Sequence, residues 1–177
     1  MTTYQFNNLK NFVKETIKKY TISEEETHVG LLEYSEDVNL VLPLNKYFDV
    51  VSINEQIDNL KPSSGIKAVT DEVLRRAADL IFDIKKGGRP TASRILVIVT
   101  DEKLSGKVSA SVVTRPLIDA GVRVYVVTYG DRTDKDDFGE VVPDGDNVEH
   151  EEETKDLIKV IPSLVETVTN NIRKRKF

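Results

Sequence analysis

The sequence predicts an α/β fold in which helices flank a three-layer, doubly wound and mostly parallel β-sheet. Two largely apolar, β-branched runs, 95–99 and 122–129, have the composition of strands that are buried on both faces. Around them lie segments with apolar residues at three- and four-residue spacing, which is typical of amphipathic helices. Because strands that alternate with helices form parallel βαβ units, this order predicts helices on both faces of the sheet.

The first half of the chain predicts a helix, a hairpin and two further helices. Helical spacing begins after Thr3, which we expect to cap the first helix. Two apolar runs separated by a polar turn then indicate an antiparallel hairpin, and Pro43 places its second strand at a sheet edge because proline lacks an N–H. The predicted elements are helix 4–20, strands 28–35 and 39–44, and helices 50–60 and 68–85.

The second half predicts two buried parallel strands and two helices. The interval between Asp101 and Val122 suits a right-handed crossover through a helix. The segment 131–156 carries twelve acidic and three basic residues. It is interpreted as a solubilising loop, with weak binding of Ca²⁺ or of a basic partner as the alternative. The predicted elements are strand 94–101, helix 108–120, strand 121–130 and helix 153–173.

Composition excludes several functional classes. The 177 residues suit one hydrophobic core, so a single domain over 1–177 is expected. The chain has no cysteine and two histidines, which excludes thiol chemistry and leaves little for a histidine metal site. A formal net charge of −5 argues against nucleic-acid binding, and no apolar run is long enough for a membrane helix. Glycine-rich nucleotide loops and G-x-S-x-G are absent too, so a Rossmann-like enzyme remains a minor alternative.

Four stretches carry a resemblance to a known family. They read FNNLKNFVKETI, THVGLLEYSEDVNLVLPLNKY, ILVIVTDEK and LIDAGVRVYVVTYG. In this order they resemble a von Willebrand factor type A domain of the collagen VI and matrilin-like group, over about 4–172. The resemblance implies a secreted adhesion module whose partners are collagen-like matrix proteins or cell-surface proteins. It also implies a metal-ion-dependent adhesion site at the carboxyl ends of the strands.

The sequence departs from the family at most positions of that site. The resemblance implies Mg²⁺ held by an Asp-x-Ser-x-Ser loop after a first central strand, by a threonine and by an aspartate. Here only Met1–Thr3 precede the first helix, and Ala68 stands at the threonine position unless the alignment shifts to Thr70. Asp101 is the clean match, followed by Glu102 in place of glycine. We therefore predict no competent metal site, and a divalent cation only if the missing loop is supplied.

The missing central strand leaves three alternatives open. The chain is a fragment of a longer protein, or strands 28–35 and 94–101 pair directly, or another segment or chain supplies the strand. The functional prediction is a non-catalytic, metal-independent interaction module, with a scaffold subunit that self-associates through sheet edges as the alternative. The predicted partner-binding residues are Asp101, Glu102, Ser63, Ser64, Thr70, Asp131 and Asp134.

Overall fold

In the computed structural model the described residues form five α-helices and five strands, and all of them except the last strand follow the predicted order. The structure describes residues 1–34, 38–62, 71–103, 110–139, 142 and 147–173. The helices are α1 (Thr3–Ile17), α2 (Val50–Asn59), α3 (Asp71–Ile81), α4 (Ala110–Asp119) and α5 (Ile161–Arg173). The strands are β1 (Leu31–Tyr34), β2 (Val38–Leu42), β3 (Arg94–Thr100), β4 (Val122–Tyr129) and β5 (Val148–Glu151). No helix in these ranges is long and apolar enough to cross a membrane.

The strands form two sheets. β1 and β2 form the predicted antiparallel hairpin, with Tyr34 opposite Val38. β3, β4 and β5 form a parallel sheet in that order, with Val97 of β3 opposite Tyr125 of β4. The predicted α/β fold class is confirmed, with a parallel three-stranded sheet and a small antiparallel pair among the described residues.

Helices cover both faces of both sheets, because alternate residues of each strand point to opposite faces. On one face of the parallel sheet, Val124 and Val126 pack with Leu74 of α3 and Leu117 of α4. α3 also packs against β1 and β2. On the other face, Phe12 of α1 packs with β4 and α5. The next turns of α1 pack with β2 and α2, so α1 bridges the two sheets.

Direct pairing of the strands predicted at 28–35 and 94–101 is wrong for the residues described. β1 and β3 belong to different sheets, and none of the described strands lies between them. They are linked through a side chain, because the Tyr34 hydroxyl donates to the carbonyl oxygen of Val99 at 3.3 Å.

The start of α1 differs by one residue from the prediction. Thr2 rather than Thr3 is the N-cap, and its hydroxyl accepts the Gln5 backbone N–H at 3.2 Å. The Gln5 side chain accepts the Thr2 N–H in return, at 2.8 Å. This reciprocal capping box stabilises the helix start, and threonine capping typically contributes about 1 kcal/mol.

The acidic segment contains a strand where a loop was predicted. β5 pairs in parallel with β4 at the sheet edge, with Val148 buried opposite Val126. His150 is half-buried, and its Nδ1 lies 2.8 Å from the Thr128 hydroxyl. Glutamate is depleted in strands, so propensity did not reveal a strand that is built mainly from Glu and His.

The predicted helix 153–173 is divided in two. Residues Thr154–Val160 form a 3₁₀ helix, and α5 begins only at Ile161. Pro162 explains the change, because proline has no N–H to bond to the preceding turn and is tolerated only in the first turn of a helix.

Replacing Gly87 by alanine is expected to lower the free energy of unfolding by more than about 2 kcal/mol. Gly87 has φ +93°, and a Cβ there would lie 2.6 Å from the Asn45 backbone nitrogen. The left-handed conformation alone costs a non-glycine residue about 1–2 kcal/mol. Gly130 is the matched control, since its φ is +83° with nothing within 4 Å of a Cβ. Urea denaturation measures both variants, and equal losses would contradict the steric argument.

Candidate functional site

The candidate site lies where β3 and β4 end. Because these neighbouring strands are parallel and in register, their last residues, Thr100 and Tyr129, lie at the same edge of the sheet. Ligands of open α/β sheets bind beyond the carboxyl ends of the strands. The chain leaves β3 through Asp101 and leaves β4 through Gly130, whose φ of +83° begins the turn.

A guanidinium group occupies the centre of this edge. Nη2 of Arg132 lies 2.5 Å from Oδ2 of Asp101, and Nη1 lies 2.5 Å from Oε1 of Glu102. The Arg132 side chain is 55% exposed, whereas the two carboxylates are mostly covered. Charge-assisted hydrogen bonds of this kind are about twice as strong as neutral ones. One arginine therefore holds the two consecutive carboxylates that follow β3.

Thr100 fixes the backbone beneath these carboxylates. It is almost fully buried, and its hydroxyl lies 3.1 Å from the Glu102 backbone nitrogen, which donates to it. Such a local hydroxyl–backbone bond favours a turn over continuation of the strand. The turn ends β3 and directs Asp101 and Glu102 toward Arg132.

Two tyrosines lie close to the ion-paired group and stay neutral. Burial raises the pKa of the Tyr34 phenol well above its usual value, and the charges of Asp101 and Glu102 add to the effect. Burial also raises the pKa of Tyr129, again with a contribution from Asp101. A neutral phenol donates a hydrogen bond without adding charge, so the net charge at this edge comes from the carboxylates and Arg132.

Stability is expected to fall as the pH rises above about 10, where unfolded tyrosines ionise. A raised pKa in the folded chain means that the unfolded chain loses protons first, so stabilisation present below pH 10 is lost at higher pH. Tyr20, whose pKa burial raises to about 12, contributes in the same window. We expect Tyr129→Phe to lose less stability between pH 8 and 11 than the unmodified chain in urea titrations. Identical pH profiles would refute this assignment.

The remaining predicted site residues fall into two groups. Asp131 is exposed, next to Arg132. Asp134 is exposed as well and caps a 3₁₀ helix, Lys135–Phe138. Its carboxylate accepts the Asp136 N–H, and its own backbone N–H donates to the Asp137 carboxylate. Ser63, Ser64 and Thr70 lie outside the described residues, as does Ala68.

Asp101 and Glu102 were predicted from the sequence as site residues, whereas Arg132, which contacts both, was not. The sequence did offer a signal for Arg132. It is a basic residue shortly after the end of β4, and β4 lies beside the strand that supplies Asp101. A second ion pair links the same two loops, with Lys103 Nζ 3.2 Å from the Asp137 carboxylate. Across the part of the chain that the structure describes, no three His, Cys, Asp or Glu side chains are grouped so as to hold a metal ion.

Comparison with solved structures supports the fold. The chain superposes on proximal thread matrix protein 1 from the mussel byssus with a TM-score of 0.87 at 20% identity, covering 94% of this chain and 43% of that one. A further structure of that protein carries a zinc-occupied MIDAS motif. Helices on both faces of a parallel sheet define the doubly wound class of α/β folds.

The family follows from the sequence match. Residues 1–161 match the von Willebrand factor type A domain, and the chain belongs to this family. It is 31% identical over 126 residues to von Willebrand factor A domain-containing protein 2 of Xenopus laevis, covering 71% of this chain and 16% of that protein. It is 29% identical over 159 residues to the collagen alpha-5(VI) chain of Mus musculus, covering 89% of this chain. The chain spans only 6% of that collagen.

Proposed function

We propose that this chain is a non-catalytic, secreted interaction module that binds a matrix or cell-surface protein without a metal ion. The family and its matrix relatives support an adhesion role. The proposal that binding needs no metal ion is supported by the position of Arg132, whose guanidinium holds Asp101 and Glu102 at the carboxyl edge of the sheet. Partners are expected to be collagen-like matrix proteins.

The described donors do not fit Mg²⁺. This ion requires near-octahedral oxygen ligands and gives up its water reluctantly. Asp101, the clean match to the family site, already has a cation bonded to Oδ2. A magnesium ion placed beside it would be repelled by the guanidinium and would have to displace it. The guanidinium therefore supplies a positive charge beside the one carboxylate that matches the family's metal site in sequence.

Arg132 can take over the recognition of an acidic partner group. A guanidinium has five N–H donors in a rigid fork, and one N–H on each of Nη1 and Nη2 suffices for the pairs to Glu102 and Asp101. More than half of the side chain is exposed, so the remaining donors are accessible to a partner carboxylate. Asp131 and Asp134 belong to the proposed contact surface, and the sequence prediction adds Ser63, Ser64 and Thr70, which lie outside the described residues.

Binding to immobilised collagens, including type VI, tests this proposal by surface plasmon resonance. We expect the affinity to stay within about twofold when EDTA replaces Mg²⁺, because the anchoring charge is covalently part of the chain. Binding that is lost in EDTA and restored by Mg²⁺ would refute metal independence. No binding to any collagen in either buffer would refute the partner class.

A further inference from the structure

Two turns that pack together carry exposed lysines at one end of the fold. β2 ends where β1 begins, because the two strands are antiparallel, and the carboxyl ends of β1 and β3 lie together, since Tyr34 bonds to Val99. The turn after β2 therefore lies at the amino end of the parallel sheet. A 3₁₀ helix, Ile84–Lys86, packs on this turn through Asn45, whose side-chain amide donates to the Lys85 carbonyl oxygen at 3.4 Å. We define the lysine patch as three exposed residues of these turns, Lys46, Lys85 and Lys86.

The lysine patch is a local excess of positive charge on a chain whose formal net charge is −5. Among the described residues, neither Lys85 nor Lys86 forms an ion pair, and the Lys46 ammonium lies 5.3 Å from the centre of the Tyr47 ring. Asp83 is next to them in sequence, but its carboxylate caps the 3₁₀ helix by accepting the Lys85 backbone N–H at 2.9 Å. Residues 83–94 hold four basic residues and one acidic residue.

The base on which these lysines stand is fixed. A Cβ at Gly87 would lie 2.6 Å from the Asn45 backbone nitrogen, so the two turns are in close backbone contact. Arg89 bonds to the carbonyl oxygens of Glu25 and Glu26, which places its positive charge beside their exposed side chains at the same end. A surface built on a fixed backbone loses less conformational freedom on binding than a flexible loop does.

The opposite end of the fold carries the complementary charge. β4 and β5 end side by side, with Tyr129 opposite Glu151, and acidic residues follow both strands. Residues 131–156 hold twelve acidic and three basic residues. We define the acidic patch as the exposed acids that follow these two strands, Asp131, Asp134, Asp136, Glu152 and Glu153.

The two patches are too far apart to neutralise each other within one molecule. β3 lies between the two ends, and its seven residues span about 20 Å at about 3.3 Å per residue. The screening length at physiological ionic strength is about 8 Å, so little attraction acts over this distance. Each patch therefore remains available to a charge on another molecule.

We propose that the lysine patch binds the acidic patch of a second copy of this chain, so that copies associate head to tail. The acidic patch is a ligand of matching charge that every copy supplies. Ile84, beside Lys85, is 71% exposed, and a folded partner covers it whereas a flexible polyanion leaves it in water. Because the two patches differ, the contact is heterologous, and each assembly keeps one free patch of either kind. Arg132 takes no part in this contact, so its failure would leave the proposed function unaffected.

Static light scattering on the unmodified chain tests for this association. At about 0.5 mM chain and about 20 mM salt, we expect a weight-average mass at least about 1.5 times that of the monomer. In about 500 mM salt the mass should return to that of the monomer, because the screening length falls below about 5 Å. A monomer at both salt concentrations would overturn the proposal, and so would an assembly that salt does not dissociate.

Charge reversals locate the contact. The variant Lys85→Glu/Lys86→Glu is expected to remain a monomer at low salt. Its matched control is Lys19→Glu/Lys61→Glu, which reverses two exposed lysines outside the patch and should still associate. If both variants lost association equally, net charge and not the lysine patch would be responsible. Retention of the monomeric chain by a sulfated polysaccharide, lost in Lys85→Glu/Lys86→Glu, would assign the patch to a polyanion instead.

A mixing experiment tests the pairing of the two patches. The variant Asp136→Lys/Glu152→Lys should also be a monomer on its own. Mixed with Lys85→Glu/Lys86→Glu, it should associate again, because each variant keeps the patch that the other has lost. Each pair of reversals changes the net charge of −5 by four, so both variants stay negative and their net charges do not attract. A mixture that contains only monomers would overturn the head-to-tail contact.

Discussion

Replacing Phe12 by alanine is expected to lower the free energy of unfolding by about 3–5 kcal/mol, the usual cost of truncating a buried aromatic residue. Phe12 is 2% exposed on α1 and packs with Tyr125 and Val127 of β4 and with Leu164 of α5. Its removal leaves a cavity where α1, the parallel sheet and α5 meet. Because α1 also packs against the hairpin side, loosening it weakens the attachment of β1 and β2 to the rest of the fold.

Tyr4→Ala is the matched control on the same helix, since Tyr4 is 62% exposed. Both variants lose an aromatic ring from α1 and gain alanine, which favours helix, so helix propensity does not account for a difference between them. Urea titrations followed by circular dichroism should show a much lower midpoint for Phe12→Ala alone. Similar midpoints for the two variants would show that α1 does not hold the two sheets together.

The parts of the fold that depend on burial could be predicted from sequence. β3 and β4 are apolar over most of their length and β4 is almost entirely buried, and that composition is visible without coordinates. β5 could not be predicted in this way, because an edge strand needs only Val148 to be buried and carries Glu and His at its other positions. Pro162, where the predicted last helix divides, is visible in the sequence, but the apolar residues keep their helical spacing across it.

The site was predicted in part for a similar reason. Asp101 follows an apolar strand directly, so its place at the carboxyl edge depends only on local sequence. Arg132 reaches Asp101 and Glu102 across 31 and 30 positions of the chain, and their contact depends on the parallel register of β3 and β4. A basic residue in an acidic segment usually faces solvent, and tertiary structure alone identifies its partners.

Arg132→Ala is expected to weaken binding to the collagen-type partner about 10- to 100-fold, both with Mg²⁺ and with EDTA. Hydrogen bonds to charged groups contribute about 1.5–3 kcal/mol, and each 1.4 kcal/mol is tenfold in Kd. The free energy of unfolding should change by no more than about 1 kcal/mol, because the ion pairs to Asp101 and Glu102 are partly exposed. Loss of binding without loss of stability distinguishes a contact residue from a structural one.

Two further variants decide whether geometry or charge is responsible. Arg115→Ala removes the same charge from α4, where Arg115 is 75% exposed and pairs with Asp119 at 3.3 Å, and it should bind normally. Arg132→Lys retains the charge but not the planar fork, so it should recover only part of the affinity. If Mg²⁺ restored binding to Arg132→Ala, the freed Asp101 would be acting as a metal ligand and the guanidinium would be a substitute for the ion. If Arg115→Ala lost as much affinity as Arg132→Ala, net charge would account for binding and the carboxyl edge would have no special role.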